Sequence, residues 1–198
     1  MAIPLTLPVT VEQVRALRVG DEVLVSGRLF TARDVAHRYL SANDDPAVRA
    51  IATGSFVYHC GPVVSQDPAS KQFRFVAAGP TTSIREEPWQ AEVIARYGLR
   101  GVIGKGGMGA RTLEALRQHG AVYLHAVGGL AVVLAKCVTR VEAVHKLEEF
   151  GIPEAIWCVE VKDFPAVVTM DSHGKSLHEA TDGDAARIAK ELMERKVG

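Results

Sequence analysis

Apolar positions change their spacing repeatedly along this chain, and the changes mark out its elements. Thr10-Val11-Glu12-Gln13 has the form of a capping box, so a short helix is predicted to start there and end near Gly20. Asp21 to Phe30 (DEVLVSGRLF) is rich in β-forming residues and predicts a strand broken at Gly27. Ala32 to Leu40 reads as a helix with Val35, Ala36 and Leu40 on one side, ended by Asn43-Asp44-Asp45-Pro46. Phe56 to His59 is a short strand stopped by Gly61-Pro62. Ser65 to Lys71 is a polar, hairpin-like loop, and Phe73 to Ala78 returns as a strand into the loop at Gly79. Glu86 to Tyr97 is helical, with Trp89, Val93 and Ile94 apolar.

The second half alternates more regularly. Gly101-Val102-Ile103 is a strand, Ala110 to His119 a helix, and Ala121 to Leu124 another strand. Gly128-Gly129 opens the apolar run Leu130 to Ala135, too short for periodicity to decide its class. Val141 to Phe150 is predicted helical. Ala155 to Val161 and Ala166 to Met170 are predicted strands on either side of Asp163-Phe164-Pro165. Asp171 to Gly174 is a turn, and Asp184 to Lys196 a helix. With no repeat or long linker, residues 1–198 form one α/β domain, with 1–16 as an N-terminal arm and short helix. A mixed sheet or barrel-like β core with helices packed outside is expected.

Composition narrows the function classes. In 198 residues, Lys+Arg and Asp+Glu are both 23, so charge balance does not point to nucleic acid or an anionic membrane. No apolar run reaches membrane-spanning length, and Met1 to Thr6 lacks the basic start and apolar core of a signal peptide, which makes the cytoplasm the expected compartment. Cys60, Cys137 and Cys158 are far apart and form no CxxC. A disulfide framework, or a metal cluster held by this chain alone, is therefore not expected.

Candidate chemistry lies in the loops. Gly79-Pro80-Thr81-Thr82-Ser83-Ile84-Arg85 and Gly104-Lys105-Gly106-Gly107-Met108-Gly109 place hydroxyls, a guanidinium and an ammonium in two Gly-containing segments, a pattern suited to small anions. The second segment is also a G-x-G-x-x-G between a strand and a helix, the setting of a dinucleotide-binding turn. The acidic residue expected about twenty positions on is missing, since no Asp or Glu lies between Glu114 and Glu142. A third cluster, Thr31-Ala32-Arg33-Asp34-Val35-Ala36-His37, starts a helix with Arg33 and His37 on one face and Asp34 off it. His59 and His125 read as structural histidines.

Taken in order, these segments resemble a family. Ala32-Arg33-Asp34 with Ala36-His37, Tyr58-His59-Cys60-Gly61-Pro62, Gly79-Pro80-Thr81-Thr82 with Arg85, Gly104-Lys105-Gly106-Gly107-Met108, Gly128-Gly129 and Glu160 to Pro165 are similar to the β subunits of class I, iron–sulfur fumarate hydratases and of L(+)-tartrate dehydratases. The resemblance runs from about Leu17 to about Ser176. It implies a single swivelling β/β/α domain that works with an α subunit, as a dimer of α–β pairs. The α subunit, not this chain, holds a [4Fe-4S] cluster by three cysteines. The implied reaction is reversible addition of water across a dicarboxylate double bond, fumarate to (S)-malate or L-tartrate to oxaloacetate.

Carried over by motif, the resemblance makes Arg33, Arg85, Lys105 and Thr82 substrate-binding. It makes Thr81 the base at the carbon losing its proton, and Lys105 stabilises the charge that develops. Asp34 is expected to orient Arg33, with His37 as a supporting residue. Ile84-Arg85-Glu86-Glu87 departs from the commoner small or apolar residue, Arg, Met and acid, which bears on substrate choice. Two alternatives stay open: a different dicarboxylate, and a free-standing anion- or dinucleotide-binding module built on the Gly104 loop.

Overall fold

The computed structural model describes residues 1–195, with the backbone alone at 182, 184, 186, 194 and 195. In chain order the first elements are β1 (Ile3–Thr6), α1 (Val11–Ala16), β2 (Glu22–Thr31), α2 (Asp34–Ala42), α3 (Pro46–Ala52), β3 (Phe56–Tyr58), β4 (Val63–Gln66) and β5 (Phe73–Ala77). A 3-10 turn (Ser83–Glu86) leads into α4 (Glu87–Tyr97), β6 (Gly101–Gly104), α5 (Ala110–His119), β7 (Val122–His125) and α6 (Ala131–Lys136). β8 (Val138–His145), α7 (Leu147–Phe150), β9 (Ile156–Met170) and α8 (Leu177–Arg195) complete the described residues.

Strands β2, β3, β6 and β7 lie side by side and parallel. β9 runs antiparallel to both β2 and β7, so it closes these strands into a five-stranded barrel. β1 extends the sheet in parallel beside β2, β8 pairs antiparallel with β9, and β4 with β5 forms a separate hairpin. Closure explains the near-continuous apolar runs, because each barrel strand is covered on both faces. Phe56, Tyr58, Ile103, Val122, Leu124, Trp157 and Val159 belong to the interior core. Their neighbours Val57, Val102, Tyr123, Ile156 and Cys158 join a second core with residues of α2, α3, α4 and α5, including Leu40, Val48, Ile94 and Leu116. The expected barrel-like core with helices outside is what forms.

Local signals set several boundaries. The capping box at Thr10 and Gln13 is complete, and Gly98 and Gly120 end α4 and α5 in the left-handed region. β2 runs unbroken through Gly27, which takes a φ of 109° at a register shift.

Two expectations fail for tertiary reasons. The predicted helix from Val141 to Phe150 is instead mostly β8, followed by the single turn α7, because Val138, Val141 and Val144 pair against β9. The two strands around Asp163-Phe164-Pro165 are one, with Asp163 at a φ of 50° and Pro165 opposite Leu24. Pro46 both follows α2 and opens α3, whose N–H groups at Ala47 and Val48 are capped by the Asp45 carboxylate. The open run at Leu130 contains α6. The C-terminal helix starts earlier than Asp184, at Leu177, while Lys196 lies outside the described residues. Among the described residues no helix is long and apolar enough to cross a membrane.

Candidate active site

Parallel strands send their following loops to one rim of the barrel, and ligands of such sheets bind beyond the carboxyl ends of the strands. Arg33 lies two residues beyond β2, His59 directly follows β3, Lys105 directly follows β6, and His125 ends β7. The Gly79 loop crosses this rim and is held there by backbone hydrogen bonds. Thr81 N–H donates to the His59 carbonyl at 2.7 Å, Lys105 N–H to the Thr81 carbonyl at 3.3 Å, and Ser83 N–H to the Lys105 carbonyl at 3.0 Å. Thr82 and Lys105 thereby form an isolated parallel bridge. The two loops singled out in the sequence are laced together, with Thr81 and Thr82 running beside Lys105 along the backbone.

Each cation has a different setting. Arg33 Nε lies 3.4 Å from Glu154, whose other oxygen accepts the Val35 N–H at 3.0 Å. Arg85 donates to the Asp34 carboxylate. Asp34 therefore serves Arg85, and the carboxylate partner of Arg33 is Glu154, a residue that sequence reading missed. Among the described residues no carboxylate comes within ion-pair distance of Lys105. Its stem passes Gly128, where a Cβ would sit 3.5 Å from Lys105 Cδ. Exposed Ile84 precedes Arg85 in the chain, and exposed Val127 and Leu130 flank the Gly128-Gly129 turn that the Lys105 stem passes, with Val132 and Val133 exposed just beyond.

The Gly-rich loop has its own reasons. Gly106 and Gly107 take φ of 79° and 75°, and a Cβ on Gly107 would lie 2.4 Å from the His178 ring. The first turn of α5, where a pyrophosphate would bind, is occupied by Glu87. That carboxylate accepts Gly109 N–H at 2.8 Å, Thr112 N–H at 3.1 Å and the Thr112 hydroxyl at 2.7 Å. The dinucleotide reading therefore lacks both the acidic residue and a free helix start.

Beneath the rim lies a buried polar layer that was not foreseen. His37, His59, Ser83, Glu86 and Gln90 are fully buried. The Gln90 amide lies 2.7 Å from His59 Nε2 and 3.0 Å from His37 Nε2; His59 Nδ1 is 2.9 Å from Ser83 Oγ, to which Tyr123 OH donates at 2.9 Å. His37 Nδ1 faces the Arg33 carbonyl at 3.0 Å and so donates to it. Burial holds His37 down to about 4, so the ring is neutral and its Nε2 accepts. The pattern is satisfied when the Gln90 NH₂ faces both Nε2 atoms and His59 donates from Nδ1 to Ser83. Burial, and then the neighbouring His37, hold His59 far below its ordinary value, so it too is neutral. His37 thus supports the carbonyl that starts the Arg33 helix. Gln90 sits one turn beyond Glu86, a spacing that could have drawn notice.

Gly104 is the hinge between this layer and Lys105. A Cβ there would lie 1.9 Å from Ser83 Oγ and 3.1 Å from Tyr123 OH. Gly104→Ala is expected to destabilise the chain by about 1–3 kcal/mol through overpacking, read as a lowered denaturant midpoint. An unchanged midpoint would mean that Ser83 turns away without loss.

The described residues do not fit a cluster held by this chain. Among them, no group of three His, Cys, Asp or Glu is placed to hold a metal ion. Burial pushes the Cys60 and Cys158 thiols up to about 12, so neither supplies the thiolate that ligation needs.

The family model described as fumarase C-terminus matches residues 1–181. A relative from Geobacillus stearothermophilus, named as a class I fumarate hydratase, is 54% identical over 177 residues, 89% of this chain; the chain spans 34% of that relative's length. A relative from Methanocaldococcus jannaschii, named as an L(+)-tartrate dehydratase subunit beta, is 38% identical over 189 residues, 93% of this chain and 95% of its own length. The L(+)-tartrate dehydratase subunit beta of Escherichia coli (strain K12) is 38% identical over 174 residues, 87% of this chain and 85% of its own.

Proposed function

We propose, from the premise that this chain belongs to the fumarase C-terminus family, that it is the β subunit of a two-subunit hydro-lyase that reversibly hydrates fumarate to (S)-malate. The observation that carries this reading is the rim itself, where the Arg33, Arg85 and Lys105 loops meet at the carboxyl ends of parallel strands beside Thr81 and Thr82. A dicarboxylate brings two anionic groups, and charge-assisted hydrogen bonds from guanidinium and ammonium groups are the strong ones. Arg33 and Arg85 hold the carboxylates, with Thr82 as a further donor. Lys105, with no protein counter-ion among the described residues, faces the negative charge that grows on the carboxylate as the neighbouring carbon loses its proton. Thr81 acts as the base in its alkoxide form: it first gives its hydroxyl proton to solvent water and then takes the proton from the carbon, with the Lys105 ammonium of the neighbouring loop stabilising the negative charge. The exposed apolar side chains near the cations are covered by an α subunit in an α2β2 assembly in the cytoplasm. That subunit holds a [4Fe-4S] cluster, which supplies Lewis acidity toward the substrate hydroxyl and carboxylate.

A second reading, the β subunit of L(+)-tartrate dehydratase or of a related dicarboxylate hydro-lyase, is supported by the two β-subunit relatives, of which the chain covers most of the length. The higher identity to the fumarate hydratase favours fumarate. The test is an anaerobic assay of the chain alone and co-assembled with a cluster-bearing α subunit, offered fumarate and L-tartrate in parallel. Turnover only with the partner, and faster with fumarate, is the expected result. Faster turnover of tartrate selects the second reading, and failure to assemble with any such partner overturns both.

A further inference from the structure

Glu86 ends the 3-10 turn directly after Arg85, and it is fully buried. Neither of its carboxyl oxygens meets a donor, and the buried Oδ1 of Asp34 has none either. The two side chains are nonetheless within hydrogen-bonding reach of each other, while Asp34 Oδ2 is held by Arg85. Two carboxyl groups in such contact cannot both be ionised without strong repulsion, and a proton between them satisfies oxygens that otherwise have no partner.

We propose that Glu86 and Asp34 share one proton across this contact, and that Glu86 is thereby a positioning residue that sets how freely Arg85 engages a substrate carboxylate. The part concerning substrate rests on the hydro-lyase reading above; the shared proton does not. Arg85 gives the pair its main compensation, and the Arg33 charge adds only a weaker pull on Asp34. From the start of α2 come Asp34 itself and Arg33, whose guanidinium turns to Glu154. From the end of β3 comes His59, with Nδ1 at 4.0 Å from Glu86, and behind it His37; burial keeps both neutral. From β7 comes Tyr123, whose phenol burial also keeps neutral. Arg85 is thus the one cation bonded to the pair among the described residues.

Burial and then the Asp34 contact push the Glu86 carboxyl up to about 8. Burial works to raise Asp34 as well, but the bonds from Glu86 and Arg85 outweigh it, and Asp34 is lowered. Below that titration, Asp34 and Arg85 neutralise one another beside a neutral Glu86. Above it, a second negative charge draws Arg85 inward and repels an incoming carboxylate.

The deciding experiment follows the glutamate side-chain carboxyl ¹³C signals and the Arg85 ¹⁵Nε–H signal of the full chain against pH, in the wild type and in Glu86→Gln. Gln keeps the shape and can donate to Asp34. One glutamate is expected to titrate near 8, with the Arg85 signal moving at the same midpoint and both transitions absent in the variant. If all glutamates titrate in their ordinary range, or Arg85 does not follow, the proposal is overturned, and the wild-type titration alone decides this if the variant fails to fold. In the assembled enzyme the wild-type KM is expected to rise roughly tenfold between about pH 7 and 9, with little rise in Glu86→Gln. Matching KM profiles would remove Glu86 from control of Arg85. An assembly that turns over neither fumarate nor L-tartrate would instead sink the hydro-lyase reading, while the titration still tests the shared proton.

Discussion

Lys105→Met in the assembled enzyme is expected to lower kcat/KM by about 30- to 1000-fold, which corresponds to about 2–4 kcal/mol of lost transition-state stabilisation. The size follows from its setting. Arg33 and Arg85 each have a carboxylate partner on this chain, so substrate replaces or shares an existing bond. Among the described residues Lys105 has none, and its charge is fully available to the anion that develops during proton removal. The loss should fall mainly on kcat, because that charge is largest in the transition state. Methionine keeps the aliphatic stem that passes Gly128, so thermal stability should hardly change. A loss confined to KM would make Lys105 a ground-state binder, and an unchanged kcat/KM would remove it from the site.

The largest effect on stability is expected at Trp157. Its ring is fully buried in the barrel interior, stands edge-on to Phe73 at 5.1 Å and Phe75 at 5.9 Å, and donates from Nε1 to the Ile152 carbonyl at 2.9 Å. Trp157→Ala would leave a cavity and an unpaired carbonyl, at a cost of about 3–5 kcal/mol. For a chain of this length that is a fall in Tm of about 10 °C, read from a thermal melt at fixed pH. Phe73 and Phe75 belong to β5, which leads into the Gly79 loop, so the variant should also loosen Thr81 and Arg85. A fall of less than about 3 °C would show that β5 and its loop collapse into the space without loss.

The linkage of Glu86 adds a pH signature to stability. Its folded value, about 8, lies above the ordinary carboxyl value of 4.5. The folded chain therefore binds the extra proton between those values, and this contribution to stability is lost as pH rises through about 8. Buried neutral His37 and His59 act oppositely: their contribution is present above about 6.5 and lost as pH falls. The difference between wild type and Glu86→Gln isolates the first effect, since both chains carry the two histidines.

Much of this protein is decided within short windows of its sequence. The capping box at Thr10 and the stop at Gly120 placed helix ends because those signals act on backbone groups within one turn. The strands at Val57, Val102 and Val122 were legible because double-sided burial leaves a short apolar run whichever neighbours cover it. Residue chemistry likewise singled out Arg33, Thr81, Thr82, Arg85 and Lys105, and the ordered motifs pointed to the family. What the tertiary structure decided depends on partners far along the chain. β8 is a strand because β9 lies beside it, although its own residues read as a helix. Asp34 serves Arg85 across fifty-one positions, and Glu154 reaches Arg33 across a longer span still. Glu86 looks like a surface acid in its local sequence and becomes a buried one when α2 and the end of β3 close over it. Hydrogen bonding within a turn is local, whereas strand pairing, desolvation and shared protons arise between segments that only the folded chain brings together.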